Sequence, residues 1–164
     1  MLVDLELSRD GDRCVPARVA LRRKLAVRIR EAELIVYPMG SFFTSLIANP
    51  LPSGVGQTIA ATRMPKLFVP NTAPDSESRG YDLVSLVECL VRFLRRDRPD
   101  RIGTRDVLDF VLVDAQRGNY PGGVDRRRLA RLGLEVIDVA LVSAESAPLI
   151  DAGLLLPSLL SLAW

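Results

Sequence analysis

From Leu34 to Thr62 the chain contains no Asp, Glu, Lys or Arg, and this stretch limits its possible folds more than any other. A run of that length could span a bilayer, but Pro38, Pro50, Pro52, Gly40, Gly54 and Gly56 interrupt it. Each break would leave backbone polar groups unpaired in lipid. The alternative is a segment buried in protein: a strand, a turn and a helix that leave and re-enter a core. Leu34-Ile35-Val36-Tyr37 is a continuous apolar run, as expected for a strand covered on both faces of a parallel sheet.

Three further apolar runs resemble it, at 66–69, 109–113 and 134–138. Helical patterns lie between them. Residues 19–32 alternate apolar and basic positions, and residues 53–62 follow Pro52 with Ser53 as N-cap. Residues 82–96 place Leu83, Leu86, Val87, Leu90, Val91 and Leu94 on one face. Residues 125–132 run from Asp125 to a stop at Gly133, and Asp151 caps a last helix. Strands alternating with helices predict an α/β fold with an open, mostly parallel sheet of about four strands, Rossmann-like, in one domain. Residues 1–18 are the least readable. Leu2–Leu7 alternates like a strand and Arg9–Asp12 reads as a turn, which suggests a short hairpin.

Composition removes several functions. The chain has no histidine, so His-based acid–base catalysis, Ser–His or Cys–His triads and His metal sites are out of reach. Cys14 and Cys89 lack metal-like spacing and point to a reduced, cytoplasmic protein. The net charge of +2 gives no basic field for nucleic acid. The first twelve residues have no apolar core of a signal peptide, and the run 152–164 is too short to cross a membrane.

The residues that point to chemistry follow the first strand: Tyr37-Pro38-Met39-Gly40-Ser41-Phe42-Phe43-Thr44-Ser45. Ligands of open α/β sheets bind outside the C-terminal strand ends. Gly40 allows a close turn, while Ser41, Thr44 and Ser45 offer hydroxyls. A short helix starting near Ser41 would add free amides for an anion. The plainer reading is that Gly40 makes a turn and Ser41 caps a helix. Asp114 ends the third strand as a ligand-binding carboxylate or, more simply, a turn cap. Arg126, Arg127, Arg128 and Arg131 form either a phosphate patch or a solvated helix face, and the balanced charge favours the latter. Tyr120-Pro121-Gly122-Gly123 reads as a ligand lid or as an ordinary loop. Cys89 falls on the apolar side of its helix.

The segment YPMGSFFTSLIANPLPSGVGQTIAATRMPKLFVPN is similar to the strand–loop–helix–strand core of CofD-like proteins. Pro38, Gly40, Ser41, Thr44 and Ser45 match its loop, Asn49, Leu51, Gly54 and Val55 the next segment, and Asn71 its strand end. The likeness continues through Tyr120–Gly123 and Ser146–Asp151. The Y-P-M-G-S-F loop most resembles the GAK-system CofD-like subgroup. The resemblance implies a Rossmann-like fold binding a nucleotide or phosphorylated small molecule, with no nucleic-acid or membrane partner. Relatives either transfer a phospholactyl group to the deazaflavin Fo, using a divalent metal, or bind a UDP-sugar as YvcK-type regulators; the further alternative is an inactive, truncated remnant. By that resemblance Gly40, Ser41, Phe42, Thr44 and Ser45 face the phosphate, with Asn71 and Thr72 beside them. Mg2+ is the implied cofactor, but no ligands for it are identified. The Gly-rich turn that opens such folds is not found, so the likeness is to the C-terminal part, and the N-terminal half of the fold is expected to be missing. A sheet cut there would bare apolar surface, which predicts a homo-oligomer.

Overall fold

The computed structural model describes residues 8–10, 13–16 and 19–163. Strands β1 (Ser8–Asp10) and β2 (Arg13–Pro16) pair antiparallel. The expected hairpin is therefore present, but Arg9 and Asp10 lie in a strand rather than the turn. The stretch Leu2–Leu7, read as a strand, lies outside the described residues.

The remaining elements run in chain order. Helix α1 is Arg23–Arg30, β3 is Ile35–Tyr37, and a π-helical turn covers Phe42–Ile47. Then follow α2 (Val55–Ala60), β4 (Lys66–Phe68), a 3-10 turn (Ser76–Ser78) and α3 (Leu83–Arg95). Helix α4 (Thr104–Val107), β5 (Phe110–Val113), α5 (Arg126–Arg131), β6 (Glu135–Asp138) and α6 (Ala152–Leu160) complete the chain. The sheet order is β3-β4-β5-β6 and every pairing is parallel. This is the predicted Rossmann-like sheet, built from strand–helix–strand crossovers.

Strand periodicity divides the core in two. Ile35, Tyr37, Phe68, Val111 and Val113 face a layer made by α1 to α5. Their neighbours Val36, Leu67, Val69 and Leu112 face the opposite side, where α6 packs. Helix α3 anchors the first layer with nine buried residues, at roughly 1.5–3 kcal/mol for each large apolar side chain. Asp82 caps it, accepting from Ser85 N at 2.7 Å, and also meets Arg128 at 2.8 Å. Asp125 and Asp151 cap α5 and α6 as expected.

Three helical readings change. Helix α1 is shorter than 19–32 because residues 19–21 run extended beside Ser53, with Leu21 N donating to Ser53 O at 2.9 Å. That pairing also takes Ser53 away from α2, whose N-cap is Gly54, in left-handed backbone at φ 90°. Asp97 takes over the capping, its Oδ2 accepting from Gly54 N at 2.6 Å. Helix α4 was not foreseen, since a four-residue turn leaves no periodic signal.

Candidate functional site

The predicted turn lies where the topology requires it, past the C-terminal end of β3 and beside the end of β4. Gly40 has φ 146°, a conformation open to glycine. Its N–H donates to Asn71 Oδ1 at 3.0 Å and its carbonyl accepts from Asn71 Nδ2 at 2.8 Å. The Asn71 amide thus closes a two-bond clasp between the β3 and β4 ends.

After Ser41 the chain enters the π-helical turn, with Leu46 N donating to Ser41 O at 3.2 Å. Ser41 occupies the N-cap position but its side chain forms no capping bond. The opening amides bond to carboxylates from the 70–80 loop. Phe42 N donates to Asp75 Oδ2 at 3.0 Å. Phe43 N and Thr44 N both donate to Glu77 Oε2, at 2.7 and 3.0 Å, and the Thr44 hydroxyl donates to Glu77 Oε1 at 2.6 Å. Three successive amides and one hydroxyl therefore converge on carboxylate oxygens, like the nests that bind anions. The Thr44 hydroxyl and the Thr44 and Phe43 amides hold the Glu77 carboxyl below the usual glutamate range. Phe43 stands edge-on to Phe42 and Tyr81, at 5.0 and 5.9 Å between ring centres.

Gly40, Ser41, Phe42, Thr44, Ser45 and Asn71 are brought together. Phe42 contributes its amide while its ring is buried. Thr44 and Ser45 are exposed. Thr72 is 2% exposed and gives its hydroxyl to Pro148 O at 2.8 Å, so it ties two loops together. The crevice bounded by Gly40, Phe42 and Asn71 measures about 30 Å³, room for a water or two. Beyond Tyr81 lies an open hollow of about 430 Å³ lined by Arg79, Ser85, Glu88 and Arg92. Sequence reasoning missed Asp75 and Glu77. Their only signal is the Asp-x-Glu spacing in a polar loop.

The other candidates take structural roles. Asp114 accepts from Gln116 N and Arg117 N at 3.2 and 2.8 Å, and from Leu141 N and Val142 N at 2.9 and 3.0 Å. It caps its turn and pins the segment at 141–142. Burial pushes its carboxyl up, but the four amides outweigh this and leave it below the usual aspartate range. Tyr120 is buried, its hydroxyl accepting from Asp114 N at 3.0 Å, so the Tyr120–Gly123 segment is an anchored loop. Arg126 and Arg128 pair with Asp138 and Asp82, and Cys89 is core. No group of three or more Cys, Asp or Glu able to hold a metal occurs among the described residues.

A parallel four-stranded sheet with a turn at the end of β3 whose amides donate to Asp75 and Glu77 defines the class: a Rossmann-like protein with its crevice at the strand ends. The family model described as 2-phospho-L-lactate transferase CofD matches residues 12–142, and the chain belongs to that family. A "Putative gluconeogenesis factor" of Nostoc is 28% identical over 138 residues, covering 76% of this chain and 28% of its own length. A protein of the same name from Thermotoga maritima is 33% identical over 91 residues, covering 54% of this chain and 26% of that one. A crystal structure of a UPF0052-family protein from Bacillus halodurans shares the fold at TM-score 0.68 and 21% identity. It covers 86% of this chain and 47% of its own. The chain thus spans about a quarter of the curated relatives and half of the solved one.

Proposed function

We propose that the chain binds a phosphate-bearing ligand, a nucleotide or phosphorylated small molecule, at the turn from Gly40 to Ser45. In this reading the ligand's phosphate replaces the Glu77 and Asp75 carboxylates. One observation carries it: consecutive amides of Phe42, Phe43 and Thr44, with the Thr44 hydroxyl, already converge on anionic oxygens. Donors arranged around one oxyanion suit another. Ser41 and Ser45 hydroxyls stand at the same turn. Because the present crevice holds only about 30 Å³, binding requires the 72–80 loop to swing outward. That movement would join the crevice to the hollow lined by Arg79 and Arg92.

The donors at this turn can hold an anionic group without themselves supplying a nucleophile or a base, which suits a binding role. This is closer to a nucleotide-sugar-binding regulator, working in the cytoplasm, than to a 2-phospho-L-lactate transferase. Calorimetric titration of the wild type and Glu77→Ala with phosphate, GDP and a UDP-sugar tests the reading. Glu77→Ala should bind at least one of them about fivefold tighter. No binding by either protein, or weaker binding by the variant, would reduce Glu77 to a loop fastener. Product formed from Fo and a phospholactyl donor would restore the transferase.

A further inference from the structure

The hollow beyond Tyr81 stands open while the crevice at the turn is closed. It measures about 430 Å³ against about 30 Å³, and the two share no lining residue. Its walls come from two elements. Arg79 belongs to the 72–80 loop, whereas Ser85, Glu88 and Arg92 lie on α3, at the three- and four-residue spacing that puts them on one helix face. The volume suits a small molecule rather than a water or two.

The charges of the hollow do not cancel. Arg79 is exposed and forms no ion pair with a described residue. The Arg92 guanidinium lies 5.1 Å from the centre of the Phe93 ring. It also stands beside Cys89: burial raises that thiol, and the Arg92 charge opposes the rise. Glu88 is the one carboxylate among the lining residues. Its charge is shared with Arg128, whose guanidinium Asp82 and, more weakly, Glu88 hold protonated. Two guanidiniums from two different walls, against one carboxylate shared with a third, favour an anion that both can grip.

We infer that the hollow is a site for a small polyvalent anion, a phosphate or a polycarboxylate, and that its occupation locks the 72–80 loop over the turn. The lock rests on the reading above, in which a phosphate-bearing ligand enters the turn once that loop swings out. Helix α3 does not move with the loop, since it is anchored by nine buried residues and by the Asp82–Arg128 pair. The loop hangs between the Thr72–Pro148 bond and the Asp82 cap, with Asp75 and Glu77 resting on the turn amides. Arg79 lies two residues past Glu77, so an outward swing of Glu77 carries Arg79 away from Arg92. An anion gripped by both arginines therefore prefers the closed loop, and the ligand of the turn needs the open one. Ligands that prefer opposite states weaken each other by the same factor.

NMR titration of the isotope-labelled full chain with inorganic phosphate and, separately, with citrate tests this, at low ionic strength where surface charges are least screened. At least one of the two should shift the Arg79 and Arg92 Nε–H signals and slow hydrogen exchange of the Phe43 and Thr44 amides about fivefold. A response to phosphate alone or to citrate alone tells which anion the hollow takes. Arg79→Gln, a change at an exposed side chain, should abolish both effects, and so should Arg92→Gln. In calorimetry the same anion at saturation should weaken GDP or UDP-sugar binding to the wild type about fivefold and leave it unchanged in Arg79→Gln. The two readings fail separately. If neither the wild type nor Glu77→Ala binds a nucleotide while the arginine shifts and slowed exchange persist, the turn is no nucleotide site but the anion lock stands. Shifts at Phe43 and Thr44 without any at Arg79 and Arg92, exchange left unchanged or made faster, effects that survive both arginine substitutions, or nucleotide binding tightened by the anion would overturn the inference.

Discussion

Asp114 and Glu77 perform one act in two settings. Each carboxylate gathers successive backbone amides, Asp114 at 2% exposure and Glu77 close to the solvent. Burial decides what the act is worth, because amides left unpaired in the interior cost about 1–3 kcal/mol each whereas surface ones turn to water. Replacing Asp114 with Asn keeps an oxygen for one pair of amides and sets an NH2 against the other. Asp114→Asn should lose about 2–4 kcal/mol in urea unfolding. The pH dependence follows from the lowered carboxyl. A group whose folded pKa is depressed contributes fully above its unfolded value, about 3.9, and loses that contribution as pH falls through the folded value. The wild type should therefore lose stability on acidification below about pH 4, and the variant should lose less over the same range.

Among elements, α2 and α3 pack closely at Gly56. A Cβ placed on Gly56 would lie 1.7 Å from the carbonyl oxygen of Leu94. That oxygen belongs to the α3 backbone and cannot rotate away, so Gly56→Ala must push the helices apart. The expected cost is about 3 kcal/mol or more, seen as a lower urea midpoint. Helix α1 is the opposite case. It buries only Ala26, and its Arg28–Glu31 pair, at 3.8 Å on an exposed face, adds little. Isolated helices of eight residues are marginal in water, so α1 depends on Leu21 and Ile29 against the core.

At the scale of the molecule, stability should decline outward from the sheet centre. Phe68, Val69, Val111 and Leu112 are almost wholly buried between two layers, while α1 stands at the open β3 side. Native-state hydrogen exchange should protect β4, β5 and α3 to near the global unfolding energy and release α1 first. Comparable protection in α1 and α3 would contradict this gradient. The sheet's two borders also differ. At β6, Glu135 and Asp138 meet Arg105 and Arg126, charges that discourage further pairing. At β3 the residues Leu34, Ile35 and Val36 carry none.

The four strands, the α5 and α6 caps and the position of the turn at Gly40 were legible in the sequence. Each follows from contacts between residues near in sequence: an apolar run, an Asp before a helical stripe, a glycine at a strand end. Ser53 was misread because its partner, Ala20, lies far away in the chain. Asp75 and Glu77 were missed for the same reason, since nothing local announces that a polar loop will lay two carboxylates on amides more than thirty residues earlier. Nor does anything near Thr72 in sequence announce that its hydroxyl donates to Pro148 O, in a loop more than seventy residues later. The sequence alone determined which segments become strands and helices, because backbone preference and apolar period act over a few residues. Tertiary structure decided which donors meet which acceptors, and which apolar faces stay uncovered, because those depend on distances that only the packed sheet sets.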